Sequence, residues 1–196
     1  DDIDAVRDEA RRCTACELHR LGTQTVFGEG PAPARVMLVG EQPGDREDRE
    51  GRPFVGPAGQ LLDRMLEEAG IDRSTVYVTN AVKHFRWRPS GGGPRRIHEK
   101  PGWTHINACR PWLERELAFV RPDALVCLGA TAAQALFGKT FRITRQRGER
   151  VESPHARVAL ATLHPSAVLR ADDEERQAMH DLVVADLRAA ATHARG

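Results

Sequence analysis

Arg35-Val36-Met37-Leu38-Val39 runs straight into Gly40-Glu41-Gln42-Pro43-Gly44. The apolar residues behind Arg35 show no alternation with polar ones, and a tight turn stops them. That is the pattern of a strand buried on both faces of a parallel sheet. Three later runs repeat it: Val76-Tyr77-Val78-Thr79, Ala124-Leu125-Val126-Cys127-Leu128 and Val158-Ala159-Leu160-Ala161-Thr162. Helical stretches fill the gaps. Pro57 sits at a first turn, Leu61, Leu62, Met65, Leu66 and Ala69 share one stripe, and Gly70 closes it. Trp112, Leu113, Glu116, Leu117 and Val120 form a second helix before Arg121-Pro122, and Thr131 to Phe137 a short third. A terminal helix spans Glu174 to Ala191 with Met179, Leu182, Val183 and Leu187 inward. The expected fold is α/β: one three-layer α/β/α domain over residues 1–196, with a mainly parallel four-stranded central sheet. Its sites are expected beyond the carboxyl ends of the strands.

Composition narrows the function. With 40% hydrophobic and 29% charged residues among 196, the chain is globular rather than disordered. No apolar run is long enough to span a bilayer and the amino terminus does not resemble a signal peptide, so a cytoplasmic monomer without membrane association is expected. Net charge is +1, yet residues 83–100 carry six Lys/Arg against Glu99 alone, a local +5 that leaves −4 elsewhere. A basic loop on a mildly acidic body points to a local anionic partner. A nucleotide-binding α/β protein is excluded for lack of a G-x-G-x-x-G or P-loop pattern.

The four cysteines are Cys13, Cys16, Cys109 and Cys127, the first two as C-x2-C and the last two separated by seventeen residues. Free cysteines are often simply buried, and Cys127 inside a strand suits that reading. An intracellular chain with four cysteines, including a C-x2-C, more often binds metal than forms disulfides. Zinc and an iron–sulfur cluster both accept such a set. The spacing does not separate them.

The remaining candidates cluster at strand ends. Gly40-Glu41-Gln42-Pro43-Gly44 lets backbone N–H groups approach a ligand, or is a plain strand-to-helix turn. Asn80 offers a donor and an acceptor for the polar edge of a base, or ordinary turn chemistry. Phe54, in a Gly/Pro loop, stacks on a base or packs in the core. His164, in His164-Pro165-Ser166, donates to developing negative charge or is structural. Pro89 to Pro94 reads as a flexible loop, and it leads into Arg95-Arg96-Ile97-His98. A loop histidine behind two arginines is a candidate nucleophile or part of a phosphate-binding loop. Arg86-Trp87-Arg88 interleaves an aromatic with charge, as a single-stranded nucleic-acid path does.

Taken together and in this order, these motifs resemble the iron–sulfur uracil-DNA glycosylases of family 4 over nearly the whole chain. Gln42 and Arg95-Arg96-Ile97-His98 are similar to the UdgX branch, which usually has Lys where this chain has Pro94. The resemblance implies that Cys13, Cys16, Cys109 and Cys127 hold a [4Fe–4S] cluster. It implies that Gly40, Glu41, Gln42, Phe54, Asn80 and His164 bind uracil, with Phe54 stacking, Asn80 reading the edge and His164 stabilising the uracil anion. Arg95, Arg96 and Ser166 would contact DNA, single-stranded by preference. His98 would capture the sugar C1′ and join protein to DNA, with Glu41 either orienting the ring or taking its proton. The rivals are a conventional turning-over glycosylase and a non-enzymatic nucleic-acid-binding module.

Overall fold

The computed structural model describes residues 2–195. Four strands, β1 (Val36–Gly40), β2 (Val76–Asn80), β5 (Ala124–Leu128) and β6 (Val158–Thr162), form one parallel sheet in the order β2-β1-β5-β6. Every residue of all four strands is buried, which is why their sequences carry no alternation. Side chains still alternate between the two faces. Leu38, Val78, Val126 and Leu160 meet α4 (Pro57–Glu68) and α9 (Asp173–Arg195). Met37, Tyr77, Leu125 and Ala159 meet α5 (Trp103–Val120) and α6 (Ala130–Phe137) on the other side. The three layers follow from that division, and they agree with the fold expected from the sequence. The remaining helices are α1 (Ile3–Ala10), α2 (Leu18–Leu21), α3 (Asp45–Glu50), α7 (Ile143–Gln146) and α8 (Pro165–Arg170). Among the described residues no helix is long and apolar enough to cross a membrane.

The structure departs from the sequence reading at several points. Residues 89–94 are not a free loop: β3 (Trp87–Ser90) and β4 (Gly93–His98) make an antiparallel hairpin, with Trp87 opposite His98. Helix α5 begins at Trp103 and carries Pro111 in its interior. The backbone hydrogen bond lost there is offset by burying Ile106 and Cys109 on the added turns. In α9, Val183 and Leu187 are buried as expected, but Leu182 is exposed and Val184 is buried.

Candidate active site

The carboxyl ends of the strands open into a cavity of about 830 Å³ whose lining includes Glu41, Phe54, Asn80, His98, Thr131 and His164. Gly40, the last residue of β1, lies against three of these side chains. A methyl group added there would come within 2.5 Å of Asn80 Oδ1, 2.7 Å of the Phe54 ring and 3.4 Å of His164 Nε2. Three side chains from separate chain segments therefore converge on one backbone atom, and only glycine leaves space between them. The Phe54 and His164 rings are near parallel, with centroids 6.1 Å apart.

Phe54 is held in this position against its own backbone preference. It has φ 55°, a left-handed value that is costly without glycine and that persists only where surroundings enforce it. Gly59 lies so close beneath it that any Cβ would stand 1.9 Å from the Phe54 carbonyl oxygen. Buried Glu47 accepts the Gly56 N–H at 2.8 Å and closes the loop. Asn80 ends β2, and its Oδ1 is the one buried side-chain polar atom without a hydrogen-bond partner among the described residues.

His164 is fixed in one tautomer. As N-cap of α8, its Nδ1 accepts the Ser166 N–H at 3.0 Å, and Ser166 Oγ lies 2.8 Å away. The ring proton is thereby placed on Nε2, the atom facing Gly40. Burial lowers the His164 pKa to about 4, so the ring is a neutral donor at physiological pH. Ser166, expected on DNA, has its main-chain and side-chain polar groups turned to His164. The shift has a stability consequence. Between pH 6.5 and 4 the unfolded chain binds a proton that the folded site refuses, so stability is full above 6.5 and falls as pH drops through this window. Urea denaturation at pH 7 and pH 5 should show His164 contributing about 1–2 kcal/mol of the loss. In His164→Gln that part should vanish, and an undiminished loss would place the acid-sensitive group elsewhere.

His98 closes β4 on the opposite side of the cavity, half exposed, with Nε2 3.0 Å from Glu41 Oε1. Burial works to raise the Glu41 pKa, but its hydrogen bonds to His98 and Thr131 hold the carboxyl below its ordinary value. Thr131, at the start of α6, donates to Glu41 Oε2. Nothing in the sequence signalled that role.

Gln42, which also lines the cavity, and Arg96 both hold the hairpin in place. Gln42 is buried, and its amide accepts the Arg86 N–H at 2.9 Å while donating to the carbonyls of Arg86 (3.2 Å) and Glu99 (2.9 Å). It clamps both ends of the hairpin. Arg96 is no phosphate contact in this arrangement. Its guanidinium, 10% exposed, pairs with Asp45 and with fully buried Asp48 of α3 and lies over the rings of Phe85 and Trp87. Two carboxylates compensate its desolvation, so burial wins over exposure to DNA. Trp87 in turn donates to the Leu21 carbonyl at 3.0 Å rather than standing free. Arg95 is exposed; Lys100, one of the cations of the basic segment, and Arg170, which the sequence reading passed over, line the cavity.

The cysteines divide three to one. Burial pushes the Cys109 pKa up to about 11. Two donors point at sulfur: Lys83 N–H to Cys109 at 3.3 Å and Trp112 Nε1–H to Cys13 at 3.2 Å. Cys127 stands apart, inside β5 between Val39 and Ala161, fully buried, with burial the one cause raising its pKa. Of the four cysteines expected to act together, Cys127 is thus enclosed by two neighbouring strands, whereas Cys13 and Cys109 each receive an N–H donor. Among the described residues no three His, Cys, Asp or Glu side chains are grouped to hold a single metal ion. His84, one residue after Lys83, is buried beside this patch. Thr25 Oγ1 donates to the Ala10 carbonyl, so at 3.0 Å it accepts from His84 Nε2–H, which leaves the Nδ1 lone pair available. Burial also lowers the His84 pKa, favouring the neutral, ligating form.

A fold with its site at the strand ends and an unpaired amide, a stacking aromatic and a neutral imidazole around one glycine belongs with enzymes that act on bases, and the comparisons agree. The model of the uracil DNA glycosylase superfamily matches residues 27–188, and the chain belongs to that superfamily. Within it, the type-4 uracil-DNA glycosylases are its relatives. The Thermotoga maritima enzyme is 39% identical over 169 residues, covering 86% of this chain and 83% of that one. The Archaeoglobus fulgidus enzyme is 37% identical over 181 residues, covering 85% and 83%. The crystal structure of Pedobacter heparinus SMUG2 shares the fold at 14% identity, with a TM-score of 0.56 over 81% of this chain and 76% of that one.

Proposed function

We propose that the chain excises uracil from DNA and that His98 then captures the sugar. The observation that carries the first half is the unpaired Asn80 Oδ1, buried between Phe54, Gly40 and His164. An orphaned buried acceptor is costly until a ligand supplies a donor. Uracil presents N3–H beside O4, which an asparagine amide meets with its oxygen and its NH2. Cytosine presents the reverse pattern and is refused. The base has to leave the helix to arrive here, so single-stranded DNA, which needs no unpairing, is the preferred substrate.

In the chemical step the C1′–N1 bond breaks and its electron pair leaves on uracil. His164 Nε2–H, already oriented by Ser166, stabilises that charge where it forms. The His98 imidazole gives an electron pair to C1′, and Glu41, at 3.0 Å from the ring, takes the proton that the resulting imidazolium releases. His98 and His164 line one cavity, which supports capture by the protein over capture by water. Incubation of the pure monomer with uracil-containing single-stranded DNA, followed by a denaturing gel, tests this reading. A retarded band that survives denaturant is expected. An alkali-labile strand without that band would favour the conventional enzyme, and unchanged DNA would favour a binding module.

We propose further that Cys13, Cys16 and Cys109 hold a [4Fe–4S] cluster, with His84 Nδ1 as fourth ligand. The hydrogen bond from His84 to Thr25 supports this, since a ligating imidazole commonly donates its other N–H to a fixed acceptor. The cluster would tie the amino-terminal segment to α5 and β2. Cys127→Ala should therefore retain iron and brown colour, whereas His84→Ala should lose iron and stability together. Iron content and visible absorbance measure both, and a Cys127→Ala protein without iron would return the fourth position to that thiol.

A further inference from the structure

Lys83 is 1% exposed, and no step above uses it. Its ammonium donates to Thr79 Oγ1 at 2.6 Å, to the main-chain carbonyl of Asn80 at 2.6 Å, and to the Glu116 carboxylate. Glu116 is fully buried as well, and its Oε1 accepts from the Gly28 N–H, the Tyr77 hydroxyl and the Thr79 hydroxyl, each at 2.9 Å. Burial, and then the Glu116 charge, raise the Tyr77 pKa, so the phenol stays a donor. An ion pair this deep is weak evidence for stability, since apolar residues of similar volume often serve as well. What the pair does touch is the base-reading strand. After Asn80 the chain turns, with Ala81 N–H on the Gly40 carbonyl (2.8 Å), Val82 N–H on that of Glu41 (2.9 Å) and Lys83 N–H on Cys109 Sγ (3.3 Å). Lys83 closes this turn by returning its ammonium to the Asn80 carbonyl.

We propose that Lys83, held by Glu116, is the positioning residue of Asn80. It fixes the peptide between residues 80 and 81, and with it the direction of the unpaired amide that selects uracil. The proposal rests on the reading of Asn80 given above. Without the ammonium, the Asn80 carbonyl is left inside the core without that donor. The peptide, still tethered by Ala81 N–H on the Gly40 carbonyl, tilts about that bond, and the amide above Gly40 moves with it. A misplacement of about 1 Å in such a site costs on the order of 10² in rate.

The double variant Lys83→Met, Glu116→Gln removes both charges, so no lone ion is buried, and Gln keeps an acceptor for Gly28, Tyr77 and Thr79. Uracil excision is followed under single turnover over a range of protein concentrations. The rate at saturating protein should fall about 10–100-fold. The concentration giving half that rate and the final amplitude should both stay at parental values. A merely structural role would lower the amplitude, because part of the protein would be inactive. In an Asn80→Ala background the same double change should cost almost nothing further, since the group it positions is gone. Lys83→Arg keeps the ion pair but replaces a compact ammonium with a planar fork, and it should show the same pattern if the double variant does not fold. Parental rates in the folded variants, or an undiminished loss on top of Asn80→Ala, overturn the proposal. If Asn80→Ala alone excises uracil at the parental rate, the reading of Asn80 fails first and this proposal with it.

Discussion

His98→Ala should leave no denaturant-stable protein–DNA complex, and yet uracil should still be released. The two outcomes separate because different residues serve the two halves of the reaction. In the proposed mechanism leaving-group stabilisation belongs to His164, whose Ser166 contacts the substitution does not touch. Phe54 and Asn80 keep their places over Gly40. What disappears is the imidazole beside Glu41, and its space on the exposed side of the cavity admits water. Glu41 then faces that water and serves as its base. The variant should therefore turn over, with product per protein molecule rising above one. Counting released uracil against protein, with a denaturing gel on the same samples, measures both halves. A His98→Ala protein that still forms the complex at the parental rate would show that another residue is the nucleophile.

His164→Ala acts on the earlier step. Bond cleavage should slow by about 10²–10³, the usual cost of losing a donor aimed at developing negative charge in a site closed to bulk water. Adduct formation should slow by the same factor, because capture follows the broken bond. The substitution also removes the α8 N-cap, at a cost of about 1 kcal/mol, so the variant remains folded. Single-turnover rates at saturating protein separate the two effects. A parental cleavage rate would remove His164 from the chemistry and leave it as a cap.

How far the sequence reveals this site depends on what each residue's role requires. The four strands are legible because burial on both faces leaves an unbroken apolar run, and their ends bring Gly40, Asn80 and His164 together by topology alone. Phe54 is legible as a loop aromatic, though its left-handed backbone is not. The hairpin is hidden because its two strands are largely exposed and polar, and Pro-Ser-Gly-Gly-Gly-Pro reads as loop. What orders it is long-range: Gln42 across its base, and Arg96 on Asp45 and Asp48. Spacing places such arginines on a surface. It does not show that two carboxylates about fifty positions earlier in the chain wait for one of them, a separation far beyond any local pattern. Cys127 misleads for a related reason. Counting cysteines ignores how a strand encloses its side chains, and register places this thiol between Val39 and Ala161. His84 and Lys83 pass unnoticed because each looks like part of a solvated basic run, while both are buried.

The central claim is that the histidine at the end of the hairpin, and no other group, forms the bond to C1′. Protease digestion of the trapped complex, followed by mass spectrometry of the modified peptide, tests it most directly. The deoxyribose should lie on the peptide that contains His98, with the mass of the sugar on its imidazole. A sugar found on Glu41, His164 or any other residue would contradict the account.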